Sequence, residues 1–99
     1  MRRNFKLEKL QAGEDIITSE KGNSMTPIIS SGQKHKLTPV TNWDKEVQTG
    51  DIVYCKVKGN FYTHLVKAKN SDKGCLIGNN RGRINGWTKQ IFGKVIEIL

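Results

Sequence analysis

Two residues of this chain, Ser24 and His64, have the chemistry of a nucleophile and its base. Ser24 sits in "KGNSMTPIISSG", residues 21–32, between an asparagine and a methionine in a segment that closes on proline, two serines and glycine. His64 follows forty positions later, in "YTHLV". A serine hydroxyl is a poor nucleophile until a base within hydrogen-bond reach takes its proton, and imidazole is the side chain that does this near neutral pH. Each residue also has an ordinary explanation. A serine among turn-formers satisfies nearby backbone, and a histidine on an apolar face is commonly a hydrogen-bonded core residue. Only a fold that closes the forty-residue gap makes a dyad of them.

The elements that would position them read as strands. The run "DIVYCKVKGNFYTHLVKAK", residues 51–69, holds two β-rich segments parted by Gly59-Asn60, a pair that tolerates the positive φ of a two-residue hairpin turn. Pairing outward from that turn sets Lys58 opposite Phe61, Val57 opposite Tyr62 and Cys55 opposite His64. Strand side chains alternate between faces. One face then carries Val53, Cys55, Val57, Tyr62, His64 and Val66, and this is the face expected to be buried. The other carries Tyr54, Lys56, Lys58, Phe61, Thr63, Leu65 and Lys67. A short strand is expected around Cys75-Leu76-Ile77, then a loop rich in Gly and Asn, then a last strand in "IFGKVIEIL". "HKLTPV" reads as a strand leading into a loop, "TNWDKEVQTGD", and "NFKLEKL" (4–10) as a short helix or an edge strand. No amphipathic run is long enough for a substantial helix.

The 99 residues suffice for one domain, with residues 1–19 an extension or edge strand and 20–97 the core. At 35% hydrophobic and 26% charged, the chain is too apolar for disorder. Its ten glycines between short apolar runs point to a mainly β, turn-rich fold. Seventeen Lys and Arg against nine Asp and Glu give a net charge of +8, which suits an acidic protein, nucleic acid or anionic surface as partner. The densest basic cluster is only "KHK" at 34–36, so a solvated basic surface accounts for most of this charge. Cys55 and Cys75 lack metal spacing and read as free thiols, so neither a metal nor a cofactor is expected. Trp43 and Trp87 are expected to cover core edges. "MRRNFKLEKLQAGED" has no apolar signal-peptide core, and no stretch approaches the roughly 20 apolar residues that span a bilayer, so a soluble, cytoplasmic protein is expected.

Taken in order, four motifs resemble the catalytic domain shared by signal peptidases and self-cleaving SOS repressors. Gly22-Asn23-Ser24-Met25-Thr26-Pro27 is similar to the family's serine segment, and Gly50-Asp51-Ile52-Val53 to its following strand. His64 stands where the histidine-type members keep their base, and Gly78-Asn79-Asn80 with Gly93-Lys94-Val95 resemble the closing segments. The resemblance covers residues 20–97. It implies a small domain of short, twisted antiparallel strands and a serine endopeptidase acting on extended protein segments. The implied catalytic pair is Ser24 and His64, with the Ser24 backbone N–H as oxyanion donor and Asn23 and Met25 as positioning residues. Three departures stand out: Gly32-Gln33 replaces the family's Gly-Asp, no stretch reads as the family's transmembrane anchor, so none is expected, and "GNNRGRING" lacks the Asp that orients the histidine. Asn79 or Asn80 is expected to take that orienting role. The same residues leave a second reading open: a peptidase fold that cleaves little and binds an acidic protein or nucleic acid through its basic surface.

Overall fold

A computed structural model describes residues 3–99. In chain order the elements are α1 (Phe5–Gln11), β1 (Ile16–Thr18), β2 (His35–Pro39), α2 (Trp43–Glu46), β3 (Ile52–Val57), β4 (Asn60–Asn70), β5 (Gly74–Gly78), β6 (Ile84–Thr88) and β7 (Ile91–Ile98). The seven strands form one antiparallel sheet in the order β1-β2-β7-β3-β4-β5-β6. The fold is therefore mainly β with little helix. No helix among the described residues is long and apolar enough to cross a membrane.

Residues 4–10 take the helical option. The Asn4 side chain accepts from the Leu7 N–H (3.0 Å) as an N-cap, and its amide donates to the Tyr54 hydroxyl (2.8 Å). One residue thus starts α1 and ties it to the sheet. The "TNWDKEVQTGD" segment is not all loop, because α2 forms a single turn within it. Glu46 folds back there to accept the Thr41 and Asn42 N–H groups.

The β3–β4 hairpin turns at Lys58-Gly59, not at Gly59-Asn60. Lys58 (φ 51°) and Gly59 (φ 86°) both take positive φ, the pattern that matches strand twist, and glycine fits best as the second turn residue. Val57 therefore pairs with Asn60, Cys55 with Tyr62 and Val53 with His64. The register differs from the expected one by two residues. A two-residue slip preserves the alternation of faces, so His64 keeps its place beside Val53, Cys55 and Val57.

The expected division into one buried and one outward face does not hold. On one side Val53, Cys55, Val57, Val66, Cys75 and Ile77 form the main core, edged by Trp43 and Tyr62. On the other, α1 brings Leu10 onto Leu37 and Tyr54, while Met25 and Ile29 pack on Ile52. Tyr54 and Thr63 are consequently buried on the face assigned to solvent. The far edge of the sheet also curls back to β3. The Thr88 hydroxyl donates to the Lys56 carbonyl (2.7 Å), and the Lys56 N–H donates to the Gln90 carbonyl (3.0 Å). Trp87 stays partly exposed on this edge, with Lys73 over its ring.

Where β5 ends, the chain doubles back tightly. A Cβ at Gly78 would lie 2.7 Å from the Arg83 carbonyl oxygen, a backbone atom with little room to move. Gly78→Ala is expected to cost about 1–3 kcal/mol. A lower urea midpoint at an unchanged m-value would show it, and an unchanged midpoint would refute the close approach.

Candidate active site

The serine segment is a run of turns held from three directions. Gly22 enters it at φ 121°, a conformation that side chains disfavour, and its N–H donates to the Ser31 hydroxyl (3.1 Å). The Asn23 carbonyl accepts both the N–H (3.2 Å) and the hydroxyl (2.8 Å) of Thr26. Met25 is buried against Ile29 and Ile52 and anchors the turn to the sheet. From across the molecule, Asn80 donates its N–H to the Ser24 carbonyl and its amide to the Thr26 carbonyl, both at 2.8 Å. The Ser24 N–H takes part in none of these bonds among the described residues.

This anchoring places Ser24 Oγ 3.1 Å from His64 Nε2. Forty residues of separation close to hydrogen-bond distance. The imidazole is buried on the apolar face and stacks on Tyr62, with ring centroids 5.0 Å apart. Its other nitrogen, Nδ1, lies 2.7 Å from Asn85 Oδ1. An amide oxygen can only accept, so Nδ1 carries the hydrogen and Nε2 turns its lone pair to the serine hydroxyl, which donates.

Asn85 is the residue the sequence reading missed, and Asn79 and Asn80 do not orient the ring. Asn79 Oδ1 accepts the Arg81 and Arg83 N–H groups within its own loop (2.8 and 2.9 Å), and Asn80 is spent on the serine turn. Asn85 reaches the histidine through a β-bulge. Ile77 pairs with Gly86 and Gly78 with Ile84, which leaves Asn85 as the extra residue on β6. Bulges re-aim side chains in this way. Gly86 (φ 136°), inside a strand, was the available signal for it.

Among the described residues no lysine side chain hydrogen-bonds to Ser24 or His64. Lys67 is exposed, Lys56 lies over the Phe61 ring, and Lys69 and Lys94 donate to backbone carbonyls near α2. Cys55 and Cys75 are free and buried. Cys55 lies across from Tyr62 rather than His64, and burial pushes its thiol up to about 12. No three His, Cys, Asp or Glu side chains among the described residues form a metal-ligand set.

Beside the site the sheet offers an open edge. The two-residue turn closes on Val57–Asn60, so the hydrogen-bonded pairs run on through Cys55–Tyr62 and Val53–His64. The N–H and C=O groups of Phe61 and Thr63 therefore point away from β3. On that side β5 pairs with β4 only from Leu65 onward.

Compared with known proteins, the chain matches no family model, no curated protein and no solved structure.

Two outcomes test this geometry directly. In ¹⁵N NMR of the imidazoles, His64 is expected to show hydrogen on Nδ1, and Asn85→Ala to lose that hydrogen bond; a tautomer with hydrogen on Nε2 would reverse the assignment. At pH 8 to 9 a disulfide reagent should leave Cys55 unmodified in the folded protein and react once urea unfolds it, because burial keeps this thiol protonated. Rapid labelling of folded Cys55 would contradict that.

Proposed function

We propose that the protein is a serine endopeptidase of the kind found in signal peptidases and SOS repressors, with Ser24, His64 and Asn85 as its working residues. The observation that carries this reading is the continuous chain from Ser24 Oγ through both imidazole nitrogens to Asn85 Oδ1. In such a site Ser24 Oγ attacks the scissile carbonyl while His64 Nε2 takes its proton. The Ser24 N–H, unengaged among the described residues, would donate to the oxyanion of the tetrahedral intermediate. His64 then returns the proton to the leaving amine, and water releases the acyl group by the same steps. Asn85 holds the ring in the required tautomer and accepts from the imidazolium, as an asparagine does in some cysteine peptidases.

An extended substrate fits the free edge of β4. The unpaired groups of Phe61 and Thr63 would bond to its backbone, as in strand addition, and bring one carbonyl to Ser24. A second reading, a peptide-binding module on the same edge, is favoured by one feature: Asn85 is neutral, and a carboxamide stabilises an imidazolium less than a carboxylate does.

A fluorophosphonate probe and a panel of unfolded proteins separate the two. The wild-type chain is expected to be labelled at Ser24 and to cleave the unfolded proteins. His64→Ala should lower the rate on the order of 10²–10⁴-fold, and Asn85→Ala by about 10²-fold through loss of orientation. Asn85→Asp should raise it above wild type. Absence of both labelling and cleavage would leave the binding module.

A further inference from the structure

Charge is divided sharply along this chain. Residues 52–96 hold nine Lys and Arg against one acid, Asp72, while the rest of the chain holds eight of each kind. The whole net charge of +8 therefore falls on the segment that carries His64 and Asn85. The three ion pairs among the described residues, Arg3–Glu8, Lys6–Glu20 and Lys9–Glu14, all lie outside that segment. Four of its cations have other partners. Lys69 and Lys94 donate to backbone carbonyls near α2, and Lys56 and Lys73 lie over the rings of Phe61 and Trp87.

Three of the others touch the frame of the site. The Lys58 stem crosses Gly86, next to Asn85, with its Cε 3.4 Å from where a Cβ of Gly86 would stand. The Lys67 stem crosses Gly78 in the same way, at 3.0 Å. Arg81 Nη1 donates to the Thr26 hydroxyl (3.3 Å), in the serine turn. A glycine leaves backbone open to such a stem, which lies along it while the charged end stays in water. All three cations are exposed. Lys58 stands at the hairpin turn, before Phe61, and Lys67 and Arg81 stand beyond the place where Leu65 pairs with Gly78. Between them runs the free edge of β4, about 13 Å from Phe61 to Leu65. Cations thus mark both ends of that edge, and with no carboxylate among them their field favours an anion. Glu20, on the Thr63 face, is already bonded by Lys6 (2.9 Å).

We propose that these cations choose the chain that lies along the β4 edge: a protein segment with carboxylates on both sides of the residue presented to Ser24. The proposal rests on the reading of that edge as the place where an extended chain lies. A peptide suits the edge better than a nucleic acid does. Phe61 and Thr63 offer both N–H and C=O groups, which an extended peptide matches and a phosphodiester backbone, having acceptors alone, does not. The exposed rings are engaged as well. Phe61 stacks on Tyr54, with centroids 5.6 Å apart, and Trp87 lies under Lys73, which leaves bases less to stack on.

The test uses the full chain with Ser24→Ala, which binds without turnover. Three extended peptides share one central sequence and carry Glu, Gln or Lys at two flanking positions about four residues apart. At low ionic strength the Glu peptide is expected to bind roughly tenfold more tightly than the Gln peptide, and the Lys peptide more weakly than either. Added salt should narrow the gap. Lys58→Asn together with Lys67→Gln is expected to remove most of the preference; asparagine tolerates the positive φ that Lys58 adopts. Lys73→Gln together with Lys89→Gln removes as much charge at the opposite end of β5, beside Gly74, and should leave the preference intact. Equal affinities for the Glu and Gln peptides, no binding of any peptide, or an equal loss from the distant pair would overturn the proposal. An oligonucleotide of matched charge that binds more tightly than the Glu peptide would overturn it too, and would assign the cations to nucleic acid. Probe labelling of wild-type Ser24 reports separately on the enzymatic reading. A labelled serine with equal peptide affinities defeats the charge preference alone, whereas Glu preference without labelling defeats the enzyme alone.

Discussion

Strand β4 is eleven residues long and its neighbour β5 only five, and most of the molecule's chemistry follows from that mismatch. A strand left without a partner along one edge over half its length must cover the backbone groups of that edge or leave them to water. Here the chain leaving β5 swings away at Gly78 and sends Asn80 to hold the serine turn against the space β5 vacates. The imidazole of β4 meets a hydroxyl there, and its edge stays open beside them. A longer β5 would fill the gap with ladder hydrogen bonds and leave no room for the serine.

The second requirement is that both faces of the sheet be buried. A one-sided sheet would leave the serine turn without support, since Met25 and Ile29 dock on the face opposite His64. Covering that face falls to α1, which approaches so closely that a Cβ at Gly93 would meet Leu10 and the Thr38 carbonyl at 3.0 Å. Ser24 is thus anchored from one face and meets His64 from the other, at an edge where the two faces join.

Much of this was legible from residue types. The alternation through Val53, Cys55 and Val57 placed His64 inward, and it survived a misplaced turn because a two-residue slip leaves every side chain on its own face. The mainly β character followed from short apolar runs between glycines. The orienting asparagine did not. The Gly-Asn-rich segment holds three asparagines, and which one meets the ring depends on a bulge, a property of two strands in register rather than of either alone. Burial of Tyr54 and Thr63 was equally hidden, because much of what covers them arrives from distant parts of the chain, Asn4 fifty positions from Tyr54 and Glu20 forty-three from Thr63.

The strand order has a consequence for how the chain assembles. β7 lies between β2 and β3, so it joins the β1–β2 ribbon, whose connection holds the serine turn, to the half of the sheet that carries His64 and Asn85. During synthesis the β3–β6 meander can pair as it emerges, from contacts that are mostly local. The β1–β2 ribbon has no sheet to join until residues 91–98 have left the ribosome. Loop-closure entropy is met before these non-local contacts repay it, which makes their docking a slow, late event. Until that event Ser24 and His64 belong to separately ordered pieces. A nascent chain would hold both residues without the contact between them, which would form only with the complete sheet.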